Sequence, residues 1–306
     1  MKLHNASGNF TAFIAASLFG ASVVATRVAV QEIPPLNLAV LRFGQGGLIL
    51  FLCLLIGARN LLKVKWHDLP FLVLLGAILF AVFPLTFNIS LRLTEASRGA
   101  LMLATMPIWS AWLARAARKE RLIHRQIAGI LFTFTGVGIV LAERGLNWQG
   151  STSALAGDGL MLLTAICGAI YGVLVQRMLA RYSALTVTMY AMLFGTLLLF
   201  PAALVEGLPQ AFIRIDGRVA FLILFLGIFG GALGFFLWTF ALTRLTPTQV
   251  AVYVNLNPLV AIILGAILLE EKLTGVFVVG FVAVVAGVLF VNWPRDIESE
   301  LHFSEK

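Results

Sequence analysis

Charge is what this sequence has least of. Asp, Glu, Lys and Arg together make up 12% of its 306 residues, against about 25% in an ordinary soluble domain. Carboxylates are scarcest where the chain is most apolar. Glu32, Asp68, Glu95, Glu143, Asp158, Glu206, Asp216, Glu270 and Glu271 all fall at the ends of apolar runs or in the breaks between them. Proton-coupled carriers commonly keep a carboxylate inside the membrane despite its cost. Its absence points to passive flux and to a neutral or zwitterionic ligand, and away from cations that need a buried counter-ion. Cys53 and Cys167 both lie within apolar segments, which reads as buried free thiols rather than a disulfide. His4, His67, His124 and His302 are scattered through polar loops and tails. They show no metal-ligand spacing, so neither a metal nor any other cofactor is expected. No Ser/His/Asp set, HExxH motif or pair of intramembrane carboxylates supports an enzyme. The alternating ten-residue strands of a membrane barrel are also missing.

What is abundant is hydrophobicity: 60% of residues are apolar and the mean hydropathy is +0.98. The apolar runs predict ten helices, at about 9–30, 37–57, 69–91, 96–116, 125–143, 157–180, 186–206, 218–242, 247–268 and 274–293. Each is long enough to cross about 30 Å of hydrocarbon, and a backbone in lipid must satisfy its own hydrogen bonds as a helix. The run from Phe10 to Val30 is too long for a secretory h-region and has a counterpart later in the chain, so it is expected to be retained.

The basic residues set an orientation. With the N-terminus inside, Lys2, Arg59, Lys63, Lys65, Arg115, Arg118, Lys119, Arg121, Arg125, Arg177, Arg181, Arg244, Arg295 and Lys306 fall on the inner side. Only Arg92, Arg98, Arg144, Arg214, Arg218 and Lys272 fall on the outer side, and Arg27 and Arg42 lie within spans. The positive-inside rule then places both termini in the cytoplasm of a multi-pass plasma-membrane protein, here a bacterial inner membrane. The net charge of +8 is thus topological, and no nucleic-acid partner is expected. The expected partners are membrane lipid and a small-molecule substrate, with a monomer as the working oligomeric state.

The chain also repeats. A shift of 151 residues superposes Gly76 on Gly227, Leu91 on Leu242, Ala100 on Ala251, Pro107 on Pro258, Glu120 on Glu271, Gly129 on Gly280, Gly136 on Gly287 and Val140 on Val291. Slightly smaller shifts superpose Gly20 on Gly168 and Gly46 on Gly195. The repeats are expected at 9–143 and 157–293, joined by a polar linker at 144–156 and followed by a cytoplasmic tail at 294–306. Five crossings is an odd number, so the second copy enters the membrane from the opposite side. The predicted fold is therefore an all-α membrane protein of ten transmembrane helices in two inverted five-helix repeats around a central cavity. In secondary transporters of this plan the substrate site lies at the repeat interface near the midplane.

Several residues stand at the helices expected to form that interface. Tyr253, Asn255 and Asn257 precede Pro258, and the repeat pairs Tyr253 with Met102 and Asn257 with Met106. Positions four apart share a helix face, so a thioether wall is expected opposite a polar-aromatic one, a combination suited to an amphipathic ligand. The asparagines are equally compatible with plain interhelical hydrogen bonds. Phe80, Phe83, Phe87 and Asn88 form an aromatic stretch in the third helix, and Phe87 pairs with Trp238 in the eighth. These rings favour a flat ligand side chain, or else pack against protein or lipid. Thr26, Trp109 and Tyr171 complete the candidates. Pro84, Pro107 and Pro258 interrupt backbone hydrogen bonding within their helices, as bend points or as static kinks. Arg42 lies about five residues inside the outer end of its helix, where it either snorkels or guards an outer vestibule and attracts carboxylates. Arg27 reads as a snorkelling anchor.

The motifs Ala15–Ala16–Ser17–Leu18–Phe19–Gly20 and Leu41–Arg42–Phe43, and the two Pro…Glu pairs Pro107/Glu120 and Pro258/Glu271 with glycines downstream, resemble the drug/metabolite transporter superfamily. Within it, the chain is similar to the two-repeat, ten-helix EamA-type exporters from Phe10 to about Trp293. Length and aromatic richness look most like the aromatic amino-acid exporter (YddG-type) branch. The resemblance implies a cavity lined mainly by helices 1, 3, 4, 6, 8 and 9, with helices 5 and 10 peripheral. It also implies export of small metabolites by alternating access, amino acids first and aromatic ones favoured. Drug efflux and nucleotide-sugar exchange are the alternatives within transport; a membrane enzyme or receptor is the alternative outside it.

Overall fold

The computed structural model describes residues 2–94, 96–117, 123–143, 152–213, 216–269 and 274–293. Glu120, Glu271, most of the 144–156 linker and the 294–306 tail lie outside them. Every described element is a helix. We number the long ones α1 Lys2–Glu32, α2 Pro35–Gly57, α3 69–93, α4 96–116, α5 His124–Glu143, α6 Thr152–Leu174, α7 Ala184–Val205, α8 Gly217–Ala241, α9 247–269 and α10 Gly275–Asn292.

Helix ends follow local capping chemistry. The Ser183, Asp216 and Thr274 side chains accept from the backbone N–H groups of Thr186, Val219 and Phe277, and start α7, α8 and α10. Thr246 and Gln249 form a reciprocal capping box at the start of α9, satisfying donors that the first turn leaves over. Helix α1 begins seven residues before the apolar run, at Lys2. Its added turns are polar, and Gly8 packs where a Cβ would lie 2.7 Å from Cβ of Arg244.

Among the described residues, nine helices are continuous, long and apolar enough to cross a bilayer. The remaining one, α4, breaks at Ala104 and Thr105 into Ala96–Leu103 and Met106–Ala116. Pro107 lacks the N–H that would serve the Leu103 carbonyl. The Thr105 side chain closes the break, donating to Met102 O at 2.6 Å and accepting from Trp109 Nε1 at 3.1 Å. The repeat mate α9 is disturbed at the same register: Val252–Leu256 tightens into a 3₁₀ turn before Pro258.

A second matched irregularity lies in α3 and α8. Both widen into π-helix, at Ala77–Val82 and Leu226–Leu233, positions that the 151-residue shift superposes. Such widenings recur at functional sites. Gly76 immediately precedes the first and Gly227 is the second residue of the other, and both stand at helix crossings. A Cβ on Gly195 of α7 would sit 2.5 Å from Gly76 O of α3, and one on Gly46 of α2 would sit 3.1 Å from Gly227 O of α8. The α3–α7 and α8–α2 crossings are thus equivalent.

The hand of the repeat is visible where α5 meets α10. A Cβ on Gly129 would lie 2.7 Å from Gly287 O, and one on Gly136 would lie 2.7 Å from Gly280 O. These two helices are repeat mates, and they run antiparallel in close backbone contact. Small residues let membrane helices approach this closely. One half is therefore upside down relative to the other. Polar bonds tie the halves at both ends. On one side Thr86 meets Thr164 at 2.7 Å, Ser90 Oγ donates to Gly157 O and Thr94 Oγ1 donates to Asp158 Oδ1. On the other, Asp68 accepts from Arg181 Nη1 at 2.8 Å and from Tyr182 OH at 2.7 Å.

Candidate functional site

Two adjoining cavities run between the halves. The inner one is narrow, about 70 Å³, and is lined by α1, α2, α3, α4, α6, α8 and α9. The outer one is wide, about 660 Å³, and is lined by α1, α3, α4, α5, α6 and α9. They share Val23, Phe87, Leu103, Val254 and Asn257. Leu103 and Val254 are repeat mates, and theirs are the carbonyls that Pro107 and Pro258 cannot serve. The helix breaks therefore fall on the cavity wall. The wide cavity opens towards the C-terminal ends of α1 and α3, past Arg27, Leu91 and Met161.

On the opposite side the passage is shut by rings. Phe19 and Phe235 approach to 4.8 Å between centroids, Phe80 and Phe235 to 5.0 Å, Phe43 and Phe80 to 5.5 Å, and Phe19 and Trp238 to 5.8 Å. Further towards the start of α1, Tyr253 OH donates to Asn9 Oδ1 at 3.1 Å, and Gln176 Nε2 donates to Leu242 O at 2.9 Å.

The expected residues divide between wall and interior. Thr26, Phe83, Pro84, Phe87, Asn88, Met106, Trp238 and Asn257 all line the narrow cavity, and Pro258 lines the wide one. Phe83 and Phe87 stack nearly parallel at 6.2 Å. Asn88 is turned partly into structure, its Nδ2 donating to Pro35 O at 3.0 Å. The Asn257 Oδ1 is buried without a partner. The others lie elsewhere. Phe80 is fully buried in the ring cluster, and Tyr171 is fully buried with its hydroxyl 3.2 Å from Thr239 Oγ1. Tyr253 is tied to Asn9, and Trp109 braces the α4 break. Met102, Pro107 and Asn255 are not among the residues lining either cavity. Asn255 is fully buried, and neither atom of its amide has a partner.

The family model described as the EamA-like transporter family matches residues 6–142 and again 155–293. The chain belongs to this family. Among its relatives is a "Probable amino-acid metabolite efflux pump" of Salmonella typhimurium, 30% identical over 92% of this chain and 93% of that one. A "Probable terminal-alkyne amino-acid exporter" of Streptantibioticus cattleyicolor is 29% identical over 77% of each chain. An "Uncharacterized transporter" of Archaeoglobus fulgidus is 26% identical over 90% of this chain and 95% of its own length. A solved crystal structure shares the fold with a TM-score of 0.78 at 19% identity, over 93% of this chain and 96% of that one.

This EamA-like transporter also lines its cavity with residues outside the expected substrate set. Helix α2 contributes Leu38, Ala39, Arg42 and Phe43, although the resemblance implies a cavity built mainly from other helices. Phe19, Ser22 and Phe235 join them, and Leu141 of α5 reaches the wide cavity. Arg27 is exposed at the mouth of the wide cavity, whereas the Arg42 head is buried. In the sequence Arg42 is a charge about five residues inside an apolar helix, with snorkelling and the attraction of carboxylates as its two readings.

Proposed function

We propose that the protein exports small neutral or zwitterionic metabolites, amino acids first and aromatic ones favoured, by alternating exposure of the central cavity. The observation that carries this reading is the narrow cavity itself. Stacked Phe83 and Phe87, Trp238 and Met106 surround it, with Asn257, Thr26 and Ser22 as sparse polar points. Pockets for small molecules are largely apolar with a few placed polar groups, and flat rings favour flat side chains. A wide opening on one face and a ring-sealed opposite face support a carrier over an open pore. The names of the Salmonella typhimurium and Streptantibioticus cattleyicolor relatives point the same way. In this reading both termini face the cytoplasm of a bacterial inner membrane, the monomer is the working unit, and Pro107 and Pro258 act as bend points.

The test is counterflow of radiolabelled amino acids in proteoliposomes holding the purified chain, with Asn257→Ala and Trp238→Ala beside wild type. Trans-stimulated uptake of phenylalanine or tryptophan is expected. Trp238→Ala should lower it about 30-fold, since stacking and ring burial together contribute on the order of 2 kcal/mol. Uptake that neither substitution alters removes the cavity from the reading. Uptake that strictly requires a pH gradient removes passive flux.

A further inference from the structure

The narrow cavity is charged on one side only. Arg42 is 9% exposed and lines it. Its Nη1 donates to Thr26 Oγ1 at 3.3 Å, its Nη2 donates to Gly230 O at 3.0 Å, and its Nε is buried without a partner. The guanidinium also stands 5.0 Å from the Phe43 ring centroid. A guanidinium has more donors than these two bonds use. None of the residues lining either cavity is an aspartate or glutamate. The nearest repeat equivalent of Arg42 is Ala191, so the other half supplies no matching charge.

Pinning α2 to the π segment of α8 would explain the bond to Gly230. A neutral donor would do that with a smaller desolvation cost. An unpaired ionisable side chain inside the membrane is costly, and such residues mark substrate paths. Gly230 is adapted to the arrangement: a Cβ there would come within 2.8 Å of Arg42 Nη2.

We propose that Arg42 is the receptor for a substrate carboxylate. Its planar fork matches a carboxylate, while Phe83, Phe87 and Trp238 on the same cavity hold the apolar part. This inference rests on the cavity being the transport site and redraws its ligand: zwitterions stay, uncharged metabolites drop out and monocarboxylate anions are added. The substrate must carry a free carboxylate. An α-ammonium meets no counter-charge, so it is dispensable, and aromatic carboxylic acids lacking it are ligands too.

The experiment uses the purified protein with phenylalanine, phenylalaninamide, phenethylamine and 3-phenylpropionate. Binding is read as thermal stabilisation in detergent, and transport as counterflow in proteoliposomes. Wild type should bind phenylalanine and phenylpropionate at least about 10-fold more tightly than the amide or the amine, the effect of one charge-assisted pair. In Arg42→Gln the gap should shrink below about 3-fold. Arg42→Lys should keep the acid preference with weaker affinity, which separates charge recognition from a packing defect. Equal binding of acid and amide by wild type overturns the proposal without any variant, as does an undiminished gap in Arg42→Gln. Stabilisation by no carboxylate overturns it as well. If phenylpropionate binds and phenylalanine does not, the carboxylate receptor stands and the amino-acid reading falls.

Discussion

The hydrogen bond from Tyr253 to Asn9 crosses the sealed face of the cavity, and its removal should loosen that seal by a calculable amount. Tyr253 is 6% exposed, and its hydroxyl lies 3.1 Å from Asn9 Oδ1. Interhelical hydrogen bonds in membranes average about 0.6 kcal/mol and reach about 1.7. The bond exists in the sealed state, so Tyr253→Phe should raise the population open on that face, by about 3-fold and at most about 20-fold. Ala16 offers a reporter: it is fully buried and lies two turns along α1 from Asn9, on the same helix face. An Ala16→Cys protein would be made on a Cys53→Ser, Cys167→Ala background, because Cys53 is exposed. The rate at which a small permeant maleimide labels position 16 then follows the open population. Asn9→Ala should speed labelling to a similar extent, and the double variant should be no faster than either single one, because both remove one bond. An unchanged rate in Tyr253→Phe, or effects that simply add, would refute the seal.

Two further outcomes follow from the repeat. Gly136→Val should lower the thermal midpoint by an amount equivalent to about 1–3 kcal/mol of overpacking, because its Cβ would lie 2.7 Å from Gly280 O; Gly138→Val, where nothing lies within 4 Å, should be nearly silent. Cysteines placed at Lys63 and Arg218, both exposed, should react with an impermeant reagent from opposite faces of the membrane, with Lys63 on the cytoplasmic one. Reaction of both from a single face would contradict the inverted arrangement.

The scaffold was legible because its constraints are periodic. Glycines and prolines must recur at equivalent crossings and breaks, so Gly46, Gly76, Gly195 and Gly227, and Pro107 with Pro258, announce themselves in a single chain. The discontinuity of α4 was less legible, since its hydropathy is unbroken and the cause is one missing N–H. The site was half legible. Met106 and Asn257, and Phe87 and Trp238, were found as repeat mates at divergent positions, and all four reach the cavity. Tyr253 and Met102 sit four residues before Asn257 and Met106, yet neither lines it. The 3₁₀ turn at Val252–Leu256 and the break at Ala104 and Thr105 intervene, so the helical face that links positions four apart is lost there. Arg42 was legible as a charge inside its span, but its place in the cavity wall was not: burial of its head against Gly230 O depends on the π segment of α8, which hydropathy does not reveal.

Symmetry and its violation have separate consequences. Matched crossings, matched π segments and matched breaks give the two halves interchangeable frameworks. In the alternating cycle proposed above, exchanging their conformations would give a mirror state sealed on the other face. The side chains at the seal are not matched. Asn9 and Tyr253 correspond to Gly157 and Met102, which cannot form the equivalent bond. The state described here would hold two features that its mirror lacks: this hydrogen bond, about 0.6 kcal/mol on the membrane average, and the ring cluster, since Phe19, Phe43, Phe80 and Phe235 correspond to Cys167, Met192, Gly231 and Pro84. In the proposed cycle both would bias the empty protein towards opening past Arg27 and Met161, the hydrogen bond alone by about 3-fold. In that cycle a substrate would shift the balance through contacts that differ between the two states, and Trp238 is placed to provide one: it lines the cavity and also packs at a tilt against Phe19 in the seal. A ring bound against Trp238 would therefore act on the seal directly, and in the proposed cycle the aromatic lining would serve as part of the gate as well as part of the site.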